Sequence, residues 1–167
     1  KQLLSSIPKY SNTMKELSRS YNIILKPHPQ ENQDFLKEIK SSNIILSEHN
    51  DSAPFYRLAD FVFCDYGGSA FGALYCDKPI VFLSPDNPEK DLINYSPNSP
   101  EIELRSHSLN ITDENSNEMS LLLQDSKLWR AACKTRAALR KKFFLDNYGK
   151  SGETAAVLLI NFLHNKL

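Results

Sequence analysis

Nowhere in these 167 residues does an apolar run approach the roughly 20 that a bilayer-spanning helix needs, so no membrane span is expected. The opening KQLLSSIPKY also lacks the apolar core of a secretory signal. An excess of charge is missing too. Twenty basic and twenty acidic side chains cancel, which removes any bulk attraction to nucleic acid or to an anionic membrane. Cysteine is scarce: Cys64, Cys76 and Cys133 are unevenly spaced and form no Cys-x-x-Cys pair. Neither a zinc site nor a disulfide framework is expected of them, and they read as reduced, buried small hydrophobes. No Asp-x-Asp and no histidine cluster of ligand spacing occurs, so no metal or other cofactor is expected. Repeats and low-complexity segments are absent. What remains is the expectation of one soluble, cytoplasmic domain over residues 1–167, long enough to bury a core and recognising its partners locally.

What is present alternates. Short strand-like runs near Asn22 to Lys26, Asn43 to Ser47, Phe61 to Cys64 and Pro79 to Leu83 are separated by helical patterns. Those patterns cover Tyr10 to Ser20, Asn32 to Ser41, Ala53 to Ala59 and Ser69 to Cys76. Alternation of this kind predicts an α/β chain with a Rossmann-like, doubly wound parallel sheet. Ser84 to Asn117, rich in Pro, Asn and Ser, predicts a loop-dominated stretch with one strand near Glu103 to Leu109. A helical C-terminal tail follows: Glu118 to Gln124, Lys127 to Phe144 and Gly152 to His164, the last capped by Ser151.

Doubly wound sheets bind ligands outside the carboxyl ends of their strands, and two loops stand there. The first is Lys26-Pro27-His28-Pro29, where two prolines push Lys26 and His28 toward extended backbone and stiffen the loop that carries the histidine. The second is Cys64-Asp65-Tyr66-Gly67-Gly68-Ser69, which passes from strand through two glycines into a helix. Glycines let a backbone approach a ligand closely, and a helix start offers N–H groups to a phosphate. The same turn also serves as a plain strand-to-helix connection in which Ser69 caps its own helix. Gly67, Gly68 and Gly72 do not make the spaced G-x-G-x-x-G of dinucleotide enzymes. Gly149-Lys150-Ser151 is not a P-loop either, since Phe144 stands where the leading glycine belongs.

Taken together, KPHP, LADFVFCDYGGSAFGALYCDKPIVFL and SPDNPEKDLINY resemble the C-terminal nucleotide-binding domain of the CDP-glycerol glycerophosphotransferase family. Those enzymes build teichoic-acid-type bacterial surface polymers and have a GT-B architecture of two facing Rossmann-like domains. The similarity runs from Tyr21 to Tyr95 and is weaker in FFLDNYGKSGETAAVLLINFL. The resemblance implies that this chain is one half of a GT-B protein, a fragment of a longer two-domain chain whose first strand precedes Lys1. It implies His28 as the catalytic histidine, with Lys26, Asp65, Gly67, Gly68 and Ser69 holding the nucleotide diphosphate. The family usually has two serines where Gly67 and Gly68 stand, which leaves backbone N–H groups and Ser69 as the donors. It implies as partners a CDP-glycerol-like donor and a polymer or lipid-linked acceptor brought by an N-terminal domain; a peripheral contact at the inner membrane face is a further expectation, which rests on the basic stretch described below. A Gly-Gly-Ser turn is also similar to UDP-sugar transferases of GT-B type and to the UDP-N-acetylglucosamine 2-epimerase family. A non-catalytic module on the same scaffold is a third reading, motivated by the lost serines and the missing partner domain.

Three further histidines and one basic stretch have bland readings. His49 is expected in a solvated loop, and His107 and His164 at the surface. Lys127, Arg130, Lys134, Arg136, Arg140, Lys141 and Lys142 read as the solvated face of an amphipathic helix, with anionic polymer or headgroups as the sharper alternative.

Overall fold

The computed structural model describes residues 5–29, 31–40, 43–65, 68–84, 96, 98–144 and 148–164. A 3-10 turn over Ile7–Tyr10 leads into α1, Ser11–Leu17. Then follow β1 (Ile24–Leu25), α2 (Gln33–Lys40), β2 (Ile45–Leu46), α3 (Ala53–Leu58), β3 (Val62–Cys64), α4 (Ser69–Tyr75) and β4 (Ile80–Leu83). The remainder holds α5 (Pro100–Ser106), β5 (Leu109–Ile111), α6 (Met119–Gln124), α7 (Ser126–Phe144) and α8 (Ser151–His164).

All strand pairs are parallel, as the alternating pattern requires. They form two small sheets, β1-β2 and β3-β4-β5, rather than one continuous sheet. The ladder of the first is short because β1 and β2 contribute two residues each. β4 is the central strand of the second sheet and is buried along its whole length, which suits its unbroken apolar run Ile80-Val81-Phe82-Leu83.

Because strand side chains alternate, β4 feeds two cores. Val81 and Leu83, with Ile111, join Tyr10, Met14 and Leu17 from the α1 region, Phe35 and Ile39 from α2, and Met119 and Leu123 from α6. Ile80 and Phe82, with Cys64, join Ala70, Ala73 and Leu74 from α4, Leu104 from α5 and Leu139 from α7. Helices on both faces of a parallel sheet make this a Rossmann-like α/β fold.

Local signals account for the helix starts. Asn32 Oδ1 accepts from Asp34 N and Phe35 N at the head of α2, and Asp125 Oδ1 accepts from Lys127 N and Leu128 N at the head of α7. The strand expected near Glu103 to Leu109 is instead α5 followed by β5. Ser99 Oγ accepts from Ile102 N, Pro100 occupies the first turn and Glu101 and Glu103 sit at its positive end, so the segment starts a helix before its apolar residues can read as a strand. The stretch from Ser84 to Asn117 is therefore not loop-dominated where it is described. Ser151 is the first residue of α8 rather than its cap, and the Lys150 carbonyl accepts from Thr154 N.

Gly72 has a packing reason that its motif did not reveal. A Cβ there would lie 2.4 Å from Cε2 of Tyr56, so the ring of Tyr56 packs directly on the backbone of α4. Gly72→Ala should destabilise the fold by about 1–3 kcal/mol through overpacking. Chemical denaturation of Gly72→Ala, Tyr56→Leu and the double variant checks this, with the double variant recovering part of the loss.

Three of the seven basic residues on α7 reach other elements of the fold. Arg136 pairs with Asp77 at 2.8 Å, Arg140 donates to the Tyr75 carbonyl and lies over the Tyr148 ring, and Lys142 pairs with Glu103 at 2.6 Å. α8 is almost wholly exposed, Leu158 and Leu159 among its apolar side chains, and Ile24 and Ile45 are exposed on β1-β2. Among the described residues no helix is long and apolar enough to cross a membrane.

Candidate functional site

The two loops expected to carry function both follow strands at their carboxyl ends. Lys26 and His28 stand after β1 and are exposed. The His28 carbonyl accepts from Glu31 N at 2.9 Å, which closes the loop just beyond the two prolines. The imidazole is thereby presented on a short, stiff segment.

Asp65 follows β3, and Gly68 precedes the first residue of α4. Gly67 and the family-resembling segment after Ser84, up to Tyr95, lie outside the described residues. Gly68 has φ −70° and ψ −14°, a right-handed conformation open to any residue, and a Cβ on it would meet nothing within 4 Å. Neither backbone strain nor packing therefore requires a glycine at this position. Ser69 is exposed, and its hydroxyl hydrogen-bonds toward the thiol of Cys64.

Asp65 is a junction of the fold as well as a member of the turn. Its Oδ2 accepts from Ser6 N at 2.9 Å, tying the segment before α1 to the end of β3. Its carbonyl accepts from the guanidinium of Arg105. Arg105 in turn lies over the ring of Phe82, 4.4 Å from its centroid, and approaches Asn110 Oδ1 at 3.5 Å. Tyr10 ties down the neighbouring strand ends, its hydroxyl lying 2.8 Å from the Ser84 carbonyl and 3.1 Å from that of Ile111. The carboxyl edge of β3-β4-β5 is thus bound by Ser6 and Tyr10 from one side and by Arg105 from the other.

Sequence reasoning did not single out Ser6, Tyr10 or Arg105. Ser99-Pro100-Glu101 was the available signal for Arg105, since it marks a helix start and places that arginine in the last turn before β5. A shallow hollow lined in part by Pro79, Ile80, His107 and Leu109 opens at the amino ends of β4 and β5, the opposite edge from the Asp65 turn. No group of three or more potential metal ligands occurs among the described residues.

The cysteines differ in setting. Cys64 is buried, Cys76 is half-buried and Cys133 is exposed, which corrects the expectation that all three are buried; Cys133 lies on the polar side of α7. Burial, with Asp65 next to it, pushes the Cys64 thiol up to about 12, against the opposing influence of Arg105 and the Ser69 hydroxyl. Since the folded state holds the proton and the unfolded chain releases it above the ordinary value of 9.0, stability should fall as pH rises past that value. The expected slope approaches about 1.4 kcal/mol per pH unit, and denaturation midpoints of wild type and Cys64→Ala between about pH 8.5 and 10 measure it. Loss of that slope in Cys64→Ala is the expected result. An equal slope in both would show that the thiol is not the group responsible.

Arg105 thus brings a guanidinium to the Asp65 carbonyl after β3, whereas the exposed Lys26 and His28 stand after β1, in the other sheet. A family model described as CDP-Glycerol:Poly(glycerophosphate) glycerophosphotransferase matches residues 7–98, more than half of the chain, and that span contains every residue from Lys26 to Ser69 named above. No curated protein and no solved structure matches the chain.

Proposed function

Because the chain belongs to the CDP-glycerol:poly(glycerophosphate) glycerophosphotransferase family, we propose that it is the donor-nucleotide-binding domain of a transferase using CDP-glycerol or a similar CDP-alditol in bacterial surface-polymer synthesis. The family match over residues 7–98 carries this reading. In the reaction an acceptor hydroxyl oxygen bonds to the phosphorus that bears glycerol, the bridge to the other phosphate breaks, and CMP leaves. The hydroxyl proton must go to a base, and the charge growing on CMP must be stabilised.

His28 is assigned the proton, or a hydrogen bond to the transferred phosphate. Lys26 adds positive charge beside it. The backbone of Gly67, Gly68 and Ser69 takes the diphosphate, and Asp65 fixes that turn through Ser6. The acceptor, a polymer or lipid-linked glycerol phosphate, would come from a second Rossmann-like domain in a GT-B arrangement, at the cytoplasmic face of the membrane.

Calorimetric titration of the chain with CDP-glycerol, CDP and UDP-N-acetylglucosamine tests the donor assignment. The two cytidine compounds should bind roughly tenfold or more tightly than the UDP-sugar. The reverse order would move the domain to the sugar-transferase or epimerase class, and binding of none of them would remove the donor role from this chain.

A further inference from the structure

Arg105 lies beyond the residues matched by the family model, yet it reaches the turn on which the donor reading depends. It projects from α5 and touches all three strands of the larger sheet near their carboxyl ends. Its guanidinium donates to the carbonyl of Asp65 after β3, lies over the ring of Phe82 of β4 at 4.4 Å from its centroid, and approaches Oδ1 of Asn110 in β5 at 3.5 Å. The same Asn110 returns a bond from Nδ2 to the Arg105 carbonyl at 2.9 Å, so side chain and helix end are held as one unit.

This arrangement fits a clamp better than an ordinary surface ion pair. A planar guanidinium with five donors can stack on a ring and hold a carbonyl together, which a lysine does less well. The carbonyl that it holds belongs to the residue that starts the turn into α4. We propose that Arg105 is a positioning residue for donor binding: it fixes the Asp65 carbonyl and thereby the direction in which the chain leaves β3. This rests on the donor-site reading above, but the clamp itself is testable without nucleotide.

Cys64 supplies the reporter, being buried beside Asp65 at the end of β3. With Cys76 and Cys133 replaced by serine, the rate at which Cys64 reacts with a disulfide reagent measures how often the end of β3 opens. Arg140 supplies the control, because it makes the matching contact at the other end of α4, donating to the Tyr75 carbonyl at 2.9 Å and stacking on Tyr148 at 3.8 Å. Arg105→Met keeps an apolar stem over Phe82 and removes the donors.

Arg105→Met should raise the Cys64 labelling rate and weaken CDP binding, each by roughly tenfold or more, as expected for loss of a hydrogen bond from a charged group. Arg105→Lys, which keeps one charged donor but loses the planar fork, should recover only part of both and stay about threefold or more from wild type. Arg140→Met should leave both within about twofold even if its thermal midpoint falls as far. Unchanged labelling in Arg105→Met, or equal changes in Arg140→Met, would overturn the clamp. Should the Arg105→Met chain fail to fold, Arg105→Lys is compared with Arg140→Met instead, and wild-type values for both readouts in Arg105→Lys would again overturn the clamp. If the unsubstituted background binds no CDP, the donor reading fails, and the labelling rates still decide whether Arg105 holds the end of β3.

Discussion

His28→Ala is expected to lower the rate of glycerol-phosphate transfer by roughly 10²- to 10⁴-fold, the usual contribution of a positioned acid or base. It should do so without unfolding the domain. The imidazole is exposed, and the contact that shapes its loop is made by the backbone carbonyl of His28, which alanine retains. The two prolines on either side are also untouched, so the loop keeps its restricted path. Transfer from CDP-glycerol by the enzyme carrying this domain, measured beside its thermal midpoint, checks the expectation. A kcat within about twofold of wild type would remove His28 from the chemistry.

The second large effect concerns Gly68. A glycine is required where φ is positive or where a neighbour leaves no room for a Cβ, and Gly68 has neither reason. Gly149 shows the contrast, with φ 76° in the turn between α7 and α8. Gly68→Val should therefore cost the fold little, under about 1 kcal/mol from the helix cap alone. Its side chain would nonetheless stand between the turn and an approaching phosphate. Donor affinity should fall roughly 10- to 100-fold, the equivalent of one or two hydrogen bonds to a charged group. Calorimetry with CDP, run beside denaturation, separates the two quantities. A loss of stability with unchanged affinity would make Gly68 a structural glycine.

How legible these features were follows from the range over which each is determined. Helix starts set by one cap, such as Asn32 for α2, and the buried run Ile80–Leu83 of β4 are local, and the sequence reading places both elements within a residue or two. The segment after Ser96 misled because its apolar residues Leu104 and Leu109 suggest a strand, whereas Ser99 and Pro100 determine the helix. The break between the β1-β2 and β3-β4-β5 sheets is not visible in the sequence, since strand order depends on pairings many residues apart. For the site, the loops around His28 and Gly68 were legible because proline and glycine mark them. The contacts that hold the second loop were not, because Ser6, Tyr10 and Arg105 lie between 40 and 101 residues from the groups they bind. Gly72 belonged to the glycine motif only by position, its reason being the ring of Tyr56.

In the proposed donor role the loop after β1 and the turn after β3 act as a single site. Amide and imidazole NMR shifts recorded while CDP-glycerol is added to the intact chain test it most directly. Saturable shifts are expected at Lys26, His28, Gly68 and Ser69, titrating together with one dissociation constant. Shifts confined to one of the two loops, or found only elsewhere on the chain, would contradict it.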